Sequence, residues 1–223
     1  MERNYTKIYF LGIGGIGMSA LARYYMHEGY RVAGYDRTAT PLTRALEAEG
    51  AEVHYDDSVE LIPEAMRQSD DTLVILTPAI PADHSEWAWF RKRGFTIEKR
   101  SQMLGHLSEG KYVMAVAGTH GKTTTSTLIA WLNAATEMGG SAFLGGISKN
   151  FNGNMVLGEG NRLAVEADEF DRSFLRLKPD VAVITAVAAD HLDICVTFEA
   201  VVEAFGQFAA LIKQGGHLIL KQG

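Results

Sequence analysis

Apolar residues in this chain fall into two patterns that alternate along its length. Short unbroken apolar runs, bounded by glycine or charge, read as strands buried on both faces, while recurrence every third or fourth position reads as helix. In the first hundred residues the runs are Lys7-Ile8-Tyr9-Phe10-Leu11, Arg31-Val32-Ala33-Gly34-Tyr35, Glu52-Val53-His54, Thr72-Leu73-Val74-Ile75-Leu76 and Phe95-Thr96-Ile97-Glu98. Helical spacing fills the intervals 16–28, 41–49, 58–68 and 84–93. Such alternation predicts a mostly parallel sheet with helices on both faces. Residues 100–107 read as a short linking helix, and a second set of elements begins near Tyr112. Its strands are predicted at 112–117, 141–145, 162–167, 181–186 and 217–221, and its helices at 122–137 and 198–213. Trp87, Trp89 and Phe90 read as helix-face packing.

Length and composition narrow the class. A chain of 223 residues accommodates two domains. A net charge of -6 without a basic stripe argues against a general nucleic-acid binder. The single cysteine, Cys195, excludes an internal disulfide framework and suits a reducing compartment. The N-terminus runs into a strand without an apolar signal region, and no apolar stretch reaches membrane-spanning length. The expectation is a soluble, cytoplasmic protein with no membrane insertion.

Chemistry concentrates first at Gly118-Thr119-His120-Gly121-Lys122-Thr123-Thr124, between an apolar strand and a helix. Strand, glycine-bounded loop, Lys-Thr and helix are the parts of a triphosphate cradle. Backbone N–H groups receive phosphate oxygens, the lysine brings a point charge and the threonine hydroxyl can ligate magnesium. The spacing G-x-x-G-K-T is shorter than the common G-x-x-x-x-G-K-[ST], which would put its first glycine at Val116.

A second cluster, Gly12-Ile13-Gly14-Gly15-Ile16-Gly17, closes the first strand and opens the first helix. It satisfies G-x-G-x-x-G, and Asp36 follows the second strand nineteen residues after Gly17. Glycines let the backbone approach a diphosphate while the acid accepts hydrogen bonds from a ribose. NAD, FAD and a UDP-sugar present the same two phosphates, so the pattern leaves the ligand open. The fold class that follows is α/β: a Rossmann-like parallel-sheet domain over residues 1–107, then a P-loop α/β domain over 108–223.

Two polar segments follow apolar strands of the second set. Glu166-Ala167-Asp168-Glu169 is placed to hold magnesium beside the phosphate loop. Asp190-His191-Leu192-Asp193 is less telling, because magnesium prefers oxygen ligands and a lone histidine at a strand end is commonly a loop residue.

Taken in order, Gly12 to Ala22, Gly118 to Thr124, Glu166 to Glu169 and Asp190 to Asp193 make the chain similar to the Mur ligases of bacterial cell-wall synthesis. The short phosphate loop is itself part of the resemblance. It implies a UDP-binding domain, a central ATPase domain and a C-terminal domain. This chain would supply the first and an incomplete second, and would not complete ligation alone. The implied reaction joins L-alanine to the carboxylate of UDP-N-acetylmuramic acid, with ATP and Mg2+, through an acyl phosphate. By the resemblance Lys122 and His120 act on the transferring phosphoryl group, and Gly118, Thr119, Gly121, Thr123 and Thr124 complete the ATP loop. Thr123, Glu166 and His191 ligate metal. Gly14, Gly15, Ile16, Gly17, Asp36 and Thr77 bind the UDP-sugar. The chain departs from the family pattern at Ala186 and at Cys195-Val196. Rival readings are a tripeptide-adding ligase of the same family, an NAD-dependent oxidoreductase and a non-catalytic nucleotide-binding module.

Overall fold

A computed structural model describes residues 5–167, 173–188 and 198–221. The chain divides into two compact units, Met1–Met103 and Leu104–Gly223.

The first unit is built on β1 (Lys7–Leu11), β2 (Arg31–Tyr35), β3 (Glu52–His54), β4 (Thr72–Leu76) and β5 (Thr96–Lys99). They form one five-stranded sheet in the order β3-β2-β1-β4-β5, and every pair is parallel. β4 is buried at every position and β1 at all but its first, which is why these strands read as unbroken apolar runs rather than as alternation. Leu11 stands level with Tyr35 on one side and Leu76 on the other. The loops after β1, β2 and β4 therefore emerge together where the strand order reverses, the place where an open α/β sheet leaves a crevice.

Helices α1 (Ile16–His27), α2 (Pro41–Glu49) and α3 (Ser85–Lys92) connect the strands. Local chemistry sets the bounds of α2. Thr40 and Thr43 form a reciprocal capping box, Pro41 opens the helix and Gly50 closes it with φ 111°. Phe90 of α3 is fully buried in a core with Tyr9, Leu11, Ile62, Met66 and Val74, and Trp87 and Trp89 pack against it half-buried.

The helix predicted over 58–68 is not there. Two 3-10 turns, Val59–Leu61 and Glu64–Met66, take its place. Pro63 is the reason: its ring drives Ile62 into an extended conformation, with ψ 121°, and it has no N–H to continue the ladder.

The second unit carries β6 (Tyr112–Ala117), α5 (Lys122–Ala134), β7 (Ser141–Ser148), β8 (Gly153–Val156), β9 (Arg162–Glu166), β10 (Val181–Ile184), α6 (Phe198–Ala209) and β11 (His217–Leu220). Helix α4 (Arg100–Ser108) precedes β6 and contains the division between the units. The six-stranded sheet has the order β11-β10-β6-β9-β7-β8. All pairings are parallel except the β7–β8 hairpin. β8 is absent from the sequence prediction; its turn includes Asn152 at φ 53°, a left-handed position that asparagine tolerates. β6, interior in the sheet, delivers its C-terminal end straight into the glycine-bounded loop ahead of α5.

Candidate functional site

In the first unit, Gly12 has φ +91° and a Cβ there would collide with the Thr77 side chain. A Cβ on Gly14 would lie 2.6 Å from Thr43 Cγ2 and 2.8 Å from Asp36 Oδ2. Asp36 reaches the loop because β2 ends beside β1: its Oδ2 accepts the Gly14 N–H at 2.7 Å and its Oδ1 the Thr38 N–H at 3.2 Å. The carboxylate thus stiffens the glycine loop from which a diphosphate would be held. α1 starts at Gly15 with no side-chain cap and no acid in its first turn, leaving the positive end of the helix dipole for an anion. Gly17 in that turn has no room for a Cβ, because the Arg100 guanidinium and its Cδ, 2.9 Å from the Cβ position, lie against it.

These residues border a cleft of about 480 Å³ lined by Gly14, Gly15, Tyr35, Asp36, Thr77 and His84, with Asp57 at its edge. Gly14, Gly15, Asp36 and Thr77 therefore share one cavity, while Ile16 and Gly17 continue into α1. Asp57 anchors the far end. It accepts the Ser85 N–H at 3.0 Å and the Glu86 N–H at 3.3 Å, capping α3 from a separate loop. Burial opposes ionisation of Asp57, but hydrogen bonds from the Ser85 hydroxyl and amide outweigh it and hold the carboxyl below its usual range. His84 Nδ1 stands 3.3 Å from Asp57 Oδ1, and its ring packs edge-on to Tyr35 at 4.5 Å. Burial lowers the His84 pKa, so the ring is neutral near pH 7. Arg100, Asp57 and His84 escaped sequence reasoning; Arg100 carries no motif, and the other two meet only through the fold.

In the second unit the loop leaves β6 at Gly118, φ +130°, and enters α5 at Gly121, φ +82°. Both are left-handed positions suited to glycine. A Cβ on Gly118 would collide with Thr185 Oγ1 and lie 2.9 Å from the Ala186 backbone. The residues just after β10 cradle the loop: Thr119 N–H donates to the Ala186 carbonyl at 2.9 Å, and the Thr185 hydroxyl faces the His120 carbonyl at 2.5 Å and the Ala117 carbonyl at 3.1 Å. His120 is exposed and Thr119 buried. α5 opens with no side-chain cap and no acid in its first turn. Lys122 Nζ curls back to donate to the Gly118 carbonyl at 2.6 Å, placing its charge over the loop where a phosphate would lie. Thr124, one position beyond Thr123, is exposed.

Thr123 Oγ1 donates to the Glu166 carboxylate, 3.1 Å from Oε1 and 3.0 Å from Oε2. Glu166 ends β9, which pairs directly with β6, so the sheet itself brings carboxylate and hydroxyl together. The Gly145 N–H donates to Glu166 Oε2 at 2.8 Å. A hydroxyl and a carboxylate at the mouth of a phosphate loop are hard oxygen donors, the set magnesium takes. Among the described residues no group of three or more His, Cys, Asp or Glu side chains could hold a metal. His191 lies outside the described residues, as do Asp168, Glu169 and the 190–197 segment.

Residues 7–112 match the model of the Mur ligase family catalytic domain, and residues 116–222 that of the Mur ligase middle domain. The chain belongs to the Mur ligase family. The chain is similar to UDP-N-acetylmuramate--L-alanine ligase of Phocaeicola vulgatus, with 52% identity over 100% of this chain and 49% of that protein. A solved structure, UDP-N-acetylmuramate-alanine ligase from Thermotoga maritima, superposes with TM-score 0.81 and 29% identity, covering 97% of this chain and 53% of that one. The UDP-N-acetylmuramate:L-alanyl-gamma-D-glutamyl-meso-diaminopimelate ligase from Neisseria meningitides has TM-score 0.87 at 23% identity, over 97% of this chain and 71% of that one, and speaks to the fold alone. The chain spans about half the length of the curated relatives it matches. Among the described residues no helix is long and apolar enough to cross a membrane.

Proposed function

We propose that this chain supplies the UDP-sugar and ATP sites of an ATP-dependent ligase that joins L-alanine to the carboxylate of UDP-N-acetylmuramic acid in the cytoplasm. The observation that carries the reading is the phosphate loop with Thr123 and Glu166 in contact beside Lys122. A second phosphate-type cleft, around Gly14 and Asp36, accounts for a second nucleotide. The names of relatives that match along the full length of the chain support these substrates. An NAD-dependent oxidoreductase would use the first cleft and leave Lys122 and Glu166 without a role.

In this reading the muramoyl carboxylate attacks the γ-phosphoryl group of ATP, giving an acyl phosphate and ADP. The amine of L-alanine then attacks the acyl carbon, releasing phosphate and leaving an amide. Such transfer needs alignment and charge neutralisation more than a protein nucleophile. Lys122 would leave the Gly118 carbonyl for the β/γ-phosphates, and the amides of Gly121, Lys122 and Thr123 would face phosphate oxygens. His120, exposed on the loop, would meet substrate or phosphate. Thr123 and Glu166, with His191, would hold Mg2+; bound there, magnesium neutralises phosphate charge. Gly14 to Gly17 would offer amides to the UDP diphosphate, with Asp36 near the nucleoside and Thr77 on the opposite wall.

Calorimetry on this chain tests the reading. Saturable binding of ATP–Mg2+ and, independently, of UDP-N-acetylmuramic acid is expected. Binding of NADH with none of the UDP-sugar would overturn it. With the longer protein, phosphate release dependent on L-alanine rather than on a tripeptide decides the acceptor.

A further inference from the structure

Beside the cleft of the first unit, three titratable side chains meet in a row that bends back on itself, with His54 Nε2 3.4 Å from Glu86 Oε1. The Tyr9 hydroxyl oxygen lies 2.6 Å from Glu86 Oε2 and 2.8 Å from His54 Nε2. Each comes from a different element: Tyr9 from β1, His54 from β3 and Glu86 from the first turn of α3. Tyr9 and Glu86 are both 0% exposed, so bulk water cannot substitute for a missing partner.

The protons in this row can be counted. His54 Nδ1 lies 3.1 Å from the Asp56 carbonyl oxygen. A carbonyl only accepts, so Nδ1 carries hydrogen, and a neutral His54 presents a bare Nε2 to Tyr9. Tyr9 has one hydrogen to give, to His54 or to Glu86. With Glu86 ionised and His54 neutral, one of the two short contacts would set lone pair against lone pair. One more proton satisfies both. It sits either on Glu86, which then donates to Tyr9 as Tyr9 donates to His54, or on His54, with the donors running the other way.

Burial chooses between them. An imidazolium and a carboxylate in the interior each lose hydration that the neutral row never gives up. Desolvation pushes Glu86 up to about 7 and lowers His54. The other titratable groups around the row are Asp56 and Asp57 on the loop after β3, His84 ahead of α3, and Tyr35 on β2. Of these, Asp57 carries a negative charge that further opposes ionisation of Glu86, and burial keeps His84 neutral. The row also reaches the cleft: the Glu86 N–H donates to Asp57, and Asp57 and His84 line the cavity.

We propose that Glu86 is a positioning residue held as the neutral acid, and that the proton it shares with Tyr9 and His54 locks the α3 end of the nucleotide cleft. Loss of that proton to solvent leaves a buried carboxylate facing Asp57, and the first turn of α3 moves outward with Asp57 and His84. The effect on ligand rests on the reading of the cleft as a UDP-sugar site; the protonation and the lock do not.

Infrared difference spectra of the 223-residue chain against Glu86→Gln test the protonation. A protonated-carboxyl carbonyl band is expected at about pH 6, bleaching as pH rises past about 7. Nitrogen NMR should show His54 as the neutral Nδ1–H form at about pH 6. Absence of the band, or an imidazolium at His54, overturns the proposal. The lock is read in the amides of Ser85 and Glu86. They should lose exchange protection in step with the bleaching, beyond the rise seen in Glu86→Gln, whose uncharged amide keeps the turn closed. Equal loss in both proteins overturns it. Should Glu86→Gln fail to fold, Tyr9→Phe removes the hydroxyl while His54 Nε2 stays 3.4 Å from Glu86 Oε1, and the carboxyl band must persist at about pH 6 because a hydrogen bond that favours the carboxylate is gone; its absence overturns the proposal. Affinity for UDP-N-acetylmuramic acid should fall about tenfold between about pH 6 and pH 9 in the wild type and stay within about twofold in Glu86→Gln. A chain that binds no UDP-sugar at any pH, while band and amides behave as expected, refutes the functional reading and leaves the lock standing.

Discussion

The amide nitrogen of Gly145 lies 2.8 Å from Glu166 Oε2, so the backbone of β7 fixes the carboxylate that stands beside Thr123. Glycine is required there: a Cβ at position 145 would collide with the carboxylate itself. Gly145→Ala should displace Glu166 without disturbing the core, since the collision is with the end of one side chain at the C-terminal end of β9. ATP–Mg2+ binding is expected to weaken about tenfold, about 1.4 kcal/mol. Gly146→Ala is the control, because its Cβ would stand 3.4 Å from Thr123 Cγ2, a contact a small shift relieves. Calorimetry on both variants checks this. Equal affinities would mean that the position of Glu166 does not matter to the nucleotide.

Lys122 gives its charge to the Gly118 carbonyl at 2.6 Å, a neutral acceptor that phosphate oxygens outcompete. Lys122→Met keeps the stem and removes the charge. Hydrogen bonds to charged groups contribute about 1.5–3 kcal/mol, so ATP affinity should drop by about one to two orders of magnitude. UDP-sugar binding and thermal midpoint should stay near wild type. Loss of both nucleotides together would point to a folding defect instead.

Much of the fold was legible because parallel strands buried on both faces leave unbroken apolar runs such as Thr72 to Leu76. The glycine loops were legible for a related reason: Gly12 and Gly118 sit at positive φ just after strand ends and Gly121 at positive φ where α5 begins, positions that suit glycine. Residues 58–68 misled because helical spacing was weighed above Pro63, whose effect on Ile62 is local and strong. β8 carries no alternation of its own and owes its existence to β7 across a hairpin. Asp57, His84, Arg100 and Gly145 were invisible because topology, not spacing, brings each to its partner. The contact of Glu166 with Thr123 depends on β6 pairing with β9, a neighbour relation that no local pattern encodes.

Arg100 covers Gly17 in the first turn of α1, a turn that carries no acidic residue of its own. A guanidinium beside a helix N-terminus suits a diphosphate. Arg100→Ala should weaken UDP-sugar binding about tenfold and flatten its dependence on salt, because one cation leaves the ligand's reach. ATP–Mg2+ binding, in the other unit, should not change. Titrations at two ionic strengths decide it. An unchanged salt dependence would assign Arg100 a packing role only.

Asp57 caps α3 from outside the helix, through the amides of Ser85 and Glu86. Asp57→Ala removes that cap and should cost about 1 kcal/mol of stability near neutral pH. The pH dependence has a definite sign. Burial raises the Asp57 pKa, but the Ser85 hydrogen bonds win and its folded value lies below the ordinary 3.8. A depressed folded pKa gives stability that is present above the unfolded value and is lost as pH falls through the folded one. The gap between wild type and Asp57→Ala should therefore be full at neutral pH, begin to close below 3.8 and vanish in stronger acid. Denaturant unfolding of both proteins across that range reads it directly. A gap that stayed constant into acid would show that Asp57 holds α3 without its charge.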